Sequence, residues 1–248
     1  MINDTIKTII AHRSVRKFKS EPLTEETIHT LVQSAQAAST SSYIQAYSII
    51  GVTDPDKKKQ FSQFAGSQEY VAENGHFFVF CADLHRHDWM AKRAGEDISE
   101  MLDSTEKFMV ACIDAALAAQ NMAIAAESMG LGLCYIGGIR NNLEEVTKIL
   151  ETPDRVLPLF GMAIGVPAKE TSQKPRLPRA HVYHENTYKD EHYEETLQEY
   201  DDIIQSYYTE RTKGKRTDTW SEQMVRMLSN PTRMYMKEFV EKKGFNKR

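Results

Sequence analysis

The 248-residue chain carries 31 Lys and Arg against 35 Asp and Glu, a formal charge of −4, with 41% hydrophobic and 27% charged residues. That length is enough to bury a substantial core in a soluble globular protein, and the slight acidity argues against a general nucleic-acid binder. Three widely spaced cysteines argue against a disulfide framework and a cysteine zinc site, and favour a reducing, cytoplasmic compartment.

The opening MINDTIKTII lacks the regions of a signal peptide, and no uncharged apolar run is long enough to span a membrane. Met1–Ala11 reads as a short helix capped by Asn3 or Asp4. AHRSVRKFKS, residues 11–20, then concentrates His12, Arg13, Ser14, Arg16 and Lys17 in six positions. Such donors suit a phosphate, while a solvated basic helix end explains the same run. Thr24 with Glu25 and Glu26 opens a helix reaching about Ala38. Ser39, Thr40, Ser41 and Ser42, followed by Gln45, form a hydroxyl-rich loop.

Tyr47–Val52 and Phe77–Cys81 read as strands, Asp56–Phe64 as an exposed helix, and Asp88–Leu102 as a polar, weakly helical segment. Thr105–Met129 is apolar on every face, the pattern of a buried helix or a subunit contact. Leu133–Ile136 is a short strand closed by Gly137 and Gly138, which suit either a tight turn or close approach to a flat ligand. Gly130-Leu131-Gly132 fails as a dinucleotide fingerprint because Tyr135 stands at the third glycine position. Asn142 with Glu145 starts a helix ending near Leu150, and Leu159–Val166 is a strand cut off by Pro167.

Beyond Pro167, Lys169–Arg179 reads as a basic, proline-stiffened loop holding Lys174 and Arg176. Three polar helices follow, Asp190–Tyr208, Thr219–Leu228 and Thr232–Lys243, with Arg211, Lys213, Lys215 and Arg216 in the first turn between them. Cations so close together are either a solvated run or a grip for a polyanion. The pattern predicts an α+β domain over residues 1–248, with a mixed central sheet flanked by helices. Residues 1–167 are its core, and 168–248 an extended loop plus a C-terminal helical arm packing on a partner subunit. No catalytic nucleophile arrangement or metal-ligand spacing emerges beyond a His85-x-His87 pair, which implies that a cofactor carries the chemistry.

HRSVRKF (12–18), the Ser39–Ser42 run with Gln45, AAESMGLGLCYIGGIRNN (125–142), LPLFGMAIGVP (157–167), KPRLP (174–178) and R-x4-R followed by DTWS resemble the oxygen-insensitive NADPH nitroreductases and NADPH flavin reductases. These are the A-type group of the nitroreductase superfamily, and the resemblance runs from about Ile6 to Gly244. It implies a cytoplasmic α+β homodimer with FMN at the dimer interface. NADPH would reduce flavins, nitroaromatics or quinones through it by two-electron, ping-pong hydride transfer. A relative with a narrow acceptor, such as a disulfide or peroxide, and a non-catalytic flavin carrier are the alternatives.

By resemblance His12, Arg13, Ser14, Lys174 and Arg176 hold the FMN phosphate, and Arg16 faces the flavin N1/O2 edge. Ser39, Thr40, Ser41 and Gln45 come from the partner chain, with Gln68 near the ring. Tyr135, Ile136, Gly137 and Gly138 line the ring, and the Gly138 N–H approaches N5, the atom that carries the hydride. No side chain is a catalytic residue; Arg16 and Gly138 support the flavin. Arg211 and Arg216 contact the NADPH 2′-phosphate. Thr40 stands where the family pattern has serine. The implied partners are small-molecule electron acceptors, with no metal, nucleic acid or membrane.

Overall fold

The computed structural model describes residues 2–169 and 171–248; Met1 and Glu170, which fall in the expected first helix and in the basic loop, lie outside the described residues. The chain divides into two compact units, Met1–Thr171 with Arg233–Arg248, and Ser172–Thr232.

The first unit is built on a four-stranded sheet. Its helices are α1 (Asp4–Ile10), α2 (Glu25–Gln36), α3 (Pro55–Phe64), α4 (His85–Ala94), α5 (Ser99–Leu102), α6 (Thr105–Ser128) and α7 (Leu143–Leu150). Its strands are β1 (Tyr47–Val52), β2 (His76–Asp83), β3 (Gly132–Ile136) and β4 (Val156–Gly165), in the order β1-β2-β4-β3. Every strand pair is antiparallel, where a mixed sheet was expected. The helical connections return the chain to antiparallel neighbours instead of crossing over to parallel ones. Among the described residues, the parallel pairing is confined to a single bridge, Ser14 with Leu133.

Strand alternation gives the sheet two buried faces. Phe77, Val79 and Cys81 face a core with Phe61 of α3 and Val146 of α7. Phe78 and Phe80 face α2 and α6, through Leu31, Ala118, Ala119 and Met122. Burying each ring stabilises the fold by about 1.5–3 kcal/mol.

Local chemistry sets the helix ends. Asn3, Thr24, Asp54, Ser104 and Asn142 each accept a backbone N–H of the first turn. The polar stretch from Asp88 to Leu102 forms α4 and α5. By length and composition α6 would cross a membrane, yet it packs on the sheet. It is not buried all round: Ala115, Ala118, Ala119, Met122 and Ala126 face inward, while Met109, Ile113 and Leu117 are about half exposed.

The second unit contains α8 (Tyr193–Arg211) and α9 (Trp220–Leu228). A Thr219–Glu222 capping box starts α9. The last expected helix is α10 (Met236–Lys242), which belongs to the first unit, where Phe245 packs on Phe108 at 5.7 Å.

Candidate functional site

The basic run after α1 is extended and lies along the edge of β3. The Val15 N–H donates to the Leu133 carbonyl at 2.8 Å, and the Lys19 N–H to Val166 at 2.9 Å. Val15 and Phe18 are buried and anchor the segment. A Cβ on Gly132 would come within 2.6 Å of Val15 Cγ2, so glycine is what lets the segment dock.

Alternation then separates the polar side chains. Arg13 and Val15 line a cleft of about 350 Å³ with Lys7, Thr8 and Glu127. Ser14 and Arg16 instead reach Cys134, whose thiol also meets Tyr70. Burial pushes the Cys134 thiol up, against the opposing pull of Arg16. Burial likewise raises the Tyr70 phenol, again opposed by Arg16. The Tyr70 hydroxyl donates to Gln68 Oε1 at 2.6 Å, which leaves the Gln68 amide N–H groups free to donate. Ser62 Oγ donates to the Gln68 carbonyl at 2.9 Å, fixing the same residue from behind. Ser14, Arg16 and Gln68 are therefore brought together, through Tyr70 and Cys134.

His12 is tied elsewhere: its Nδ1–H donates to Glu127 Oε1 on α6 at 2.7 Å. In the 134–138 stretch, Tyr135 packs toward α6, with its hydroxyl 3.3 Å from Gln120 Oε1, and Ile136 is buried on the opposite face. The two glycines have intramolecular reasons. A Cβ on Gly138 would lie 2.7 Å from the Ala65 carbonyl, and one on Gly137 would lie 3.0 Å from Arg140 Nη2.

The hydroxyl loop is fastened to α6. Asp114, fully buried, accepts the Ser41 N–H at 3.1 Å and the Ala46 N–H at 3.0 Å. Between these points Ser42, Tyr43 and Gln45 adopt left-handed backbone, with φ of 49°, 58° and 52°. Such conformations in non-glycine residues are costly and persist where the surroundings impose them. Ser39, Ser41 and Gln45 are exposed and Thr40 is partly so.

In the second unit the cations of the two expected phosphate grips share one ring. Lys174 Nζ lies 5.3 Å from the Tyr208 centroid, and Arg216 Cζ lies 3.8 Å from it. Burial pushes the Tyr208 phenol up, but Lys174 and Arg216 more than offset this and leave it below the ordinary tyrosine value. Arg176 donates to the Lys174 carbonyl at 2.8 Å, and the Tyr200 hydroxyl donates to Pro175 at 3.1 Å. Arg211 donates to the Tyr207 hydroxyl. His85 and His87 bond separate carbonyls, those of Asp154 and Ile44.

Sequence reasoning gave no role to Tyr70, Asp114, Tyr208 or Asp218, the last of which pairs with Arg216 at 3.0 Å. A signal existed for two of them: Asp114 interrupts the apolar middle of α6, and Asp218 follows Arg216 by two positions.

Comparison with known proteins gives the chain relatives. The model of the Nitroreductase family matches residues 9–166, and that of the Nitroreductase family C-terminal domain matches residues 174–248. The chain is 60% identical over 248 residues to the "FMN reductase (NADPH)" of Bacillus subtilis (strain 168), covering 99% of this chain and 100% of the relative. It superposes on the NfrA1 nitroreductase from B. subtilis with a TM-score of 0.97 at 60% identity, covering 99% and 100% of the two chains. The NADPH:FMN oxidoreductase from Vibrio harveyi, solved with NAD+, matches with a TM-score of 0.90 at 40% identity, covering 99% and 100%.

Proposed function

Since the chain belongs to the nitroreductase family, we infer that it is an FMN-dependent oxidoreductase that draws electrons from NADPH and delivers them to flavins or nitro compounds. The observation that carries the site assignment is the gathering of Ser14, Arg16 and Tyr70 around Cys134 at the strand edge, with Gln68 bonded to Tyr70. A flat ring with a polar edge needs such donors and a fixed positive charge beside it. The residues present therefore fit FMN, which when bound supplies two-electron hydride acceptance and delivery.

By resemblance Arg16 would place positive charge at the flavin N1/O2 edge without moving a proton, and Gln68 would offer its amide N–H groups to the ring. By resemblance His12, Arg13, Ser14, Lys174 and Arg176 are assigned to the flavin phosphate. Tyr135, Ile136, Gly137 and Gly138 line the ring. Ser39, Thr40, Ser41 and Gln45 reach a partner's flavin. Arg211 and Arg216 take the 2′-phosphate of NADPH. One pocket receives NADPH and then the acceptor, so turnover is ping-pong, and quinones join nitroaromatics and flavins as acceptors.

The homodimer reading is supported by the exposed apolar row Met109, Ile113 and Leu117 on α6, with Ile6, Ile9 and Ile10 exposed on α1. Cys81, Cys112 and Cys134 are free thiols, which supports a cytoplasmic location.

The test is the visible spectrum of the purified protein, followed by anaerobic addition of NADPH or NADH. Flavin bands that NADPH bleaches faster than NADH are expected. Colourless protein that takes up no added FMN overturns the reading, and bound flavin that NADPH leaves oxidised turns it into a carrier.

A further inference from the structure

The turn after α8 is rich in cations, and Arg216 among them is held from three sides. Its Nε and Nη2 donate to the two carboxylate oxygens of Asp218 at 3.1 and 3.0 Å. Its guanidinium lies on the Tyr208 ring. Its backbone N–H donates to Thr212 Oγ1 at 2.8 Å. Asp218 is held in turn, because Arg226 Nη2 donates to its Oδ2 at 2.9 Å and its side chain is only 17% exposed.

A guanidinium is a planar fork of five N–H groups. Asp218 occupies the side edge, formed by Nε–H and one N–H of Nη2. The end edge, one N–H of Nη1 and the second of Nη2, keeps the spacing that matches two phosphate oxygens. Asp218 also faces two guanidinium groups with one negative charge, so the pair Arg216–Arg226 retains a net positive charge beside it. An arginine fixed before its ligand arrives has less rotamer freedom left to lose on binding. Holding Arg216 thus favours an anion at its open edge, although the group doing the holding is itself an anion.

We propose that Asp218 is a specificity-determining positioning residue: it holds Arg216 over the Tyr208 ring with the end edge of the guanidinium presented to the 2′-phosphate of NADPH, and so sets the preference for NADPH over NADH. This rests on the reading of Arg216 as a 2′-phosphate residue.

The test uses FMN-loaded protein and two probes, adenosine 2′,5′-bisphosphate and AMP, titrated calorimetrically, together with the KM values for NADPH and NADH. In D218A the ratio of bisphosphate to AMP affinity falls about tenfold, the effect of losing one charge-assisted contact, and the NADPH-to-NADH KM ratio rises in parallel. D218N keeps the volume of the side chain and gives a smaller shift in the same direction; if D218A does not fold, D218N alone decides. An unchanged ratio, an equal loss of both probes, or tighter bisphosphate binding, as for a carboxylate that merely competes, overturns the proposal. R216A is measured alongside. If it leaves bisphosphate affinity unaltered, the 2′-phosphate reading itself fails; if R216A loses the preference while D218A and D218N keep it, only the role of Asp218 fails.

Discussion

The imidazole of His76 is packed where a charge is costly. It is buried, its ring centroid lies 4.2 Å from that of Phe78, and a Cβ on Gly51 would come within 2.7 Å of its Nε2. Burial, with Lys58 adding to it, lowers its pKa from 6.5 to about 4. A lowered pKa means the folded chain binds the proton less readily than the unfolded chain. The stability tied to a neutral His76 is thus intact above pH 6.5 and is lost as pH falls from 6.5 toward about 4, by up to about 3 kcal/mol. Urea unfolding at pH 7 and pH 4.5 checks this, and H76Q should flatten the difference; an equal drop in both proteins speaks against it. Tyr70 is the second residue to test, because its hydroxyl orients Gln68 and meets Arg16. Y70F should weaken FMN retention by about three- to tenfold in a flavin-release titration, with little change in melting temperature.

Among the elements, α6 carries the most consequences. Asp114 bonds two backbone N–H groups of a loop with three left-handed residues. D114A leaves both N–H groups without their acceptor and should cost about 2–4 kcal/mol in urea unfolding, with D114N losing less. Much of this level was legible in the chain. Tyr47–Val52 is the observed β1, and Thr24 and Asn142 cap the helices they precede. These features depend on near neighbours, so sequence reports them. The site depends on partners far apart along the chain. His12 meets Glu127 across 115 positions, and Ser41 meets Asp114 across 73. Composition cannot say that Arg13 and Ser14 turn to opposite sides of one extended segment, because that follows from docking on β3. The glycines at 137 and 138 were legible as close-approach positions, but the approach made is to Arg140 and Ala65.

At the scale of the molecule, the family motifs made the FMN and NADPH assignment readable before any coordinates, since they span nearly the whole chain. The assembly is argued from the apolar row on α6. I113E with L117E places two charges on that row and should convert the proposed homodimer to a monomer in light scattering. The monomer should keep its helical circular dichroism and lose flavin, because the hydroxyl loop would no longer reach a partner's ring. A charged variant that stays dimeric moves the interface elsewhere.

Ile113 and Asp114 are adjacent, so a single turn of one rigid rod carries both an exposed apolar side chain of the proposed contact and the fastening of the loop proposed to reach across it. On the proposed arrangement the two reaction centres are completed by the same docking event. Catalysis then scales with the square of protomer concentration under dilution, and a newly made chain stays inert until it meets its twin.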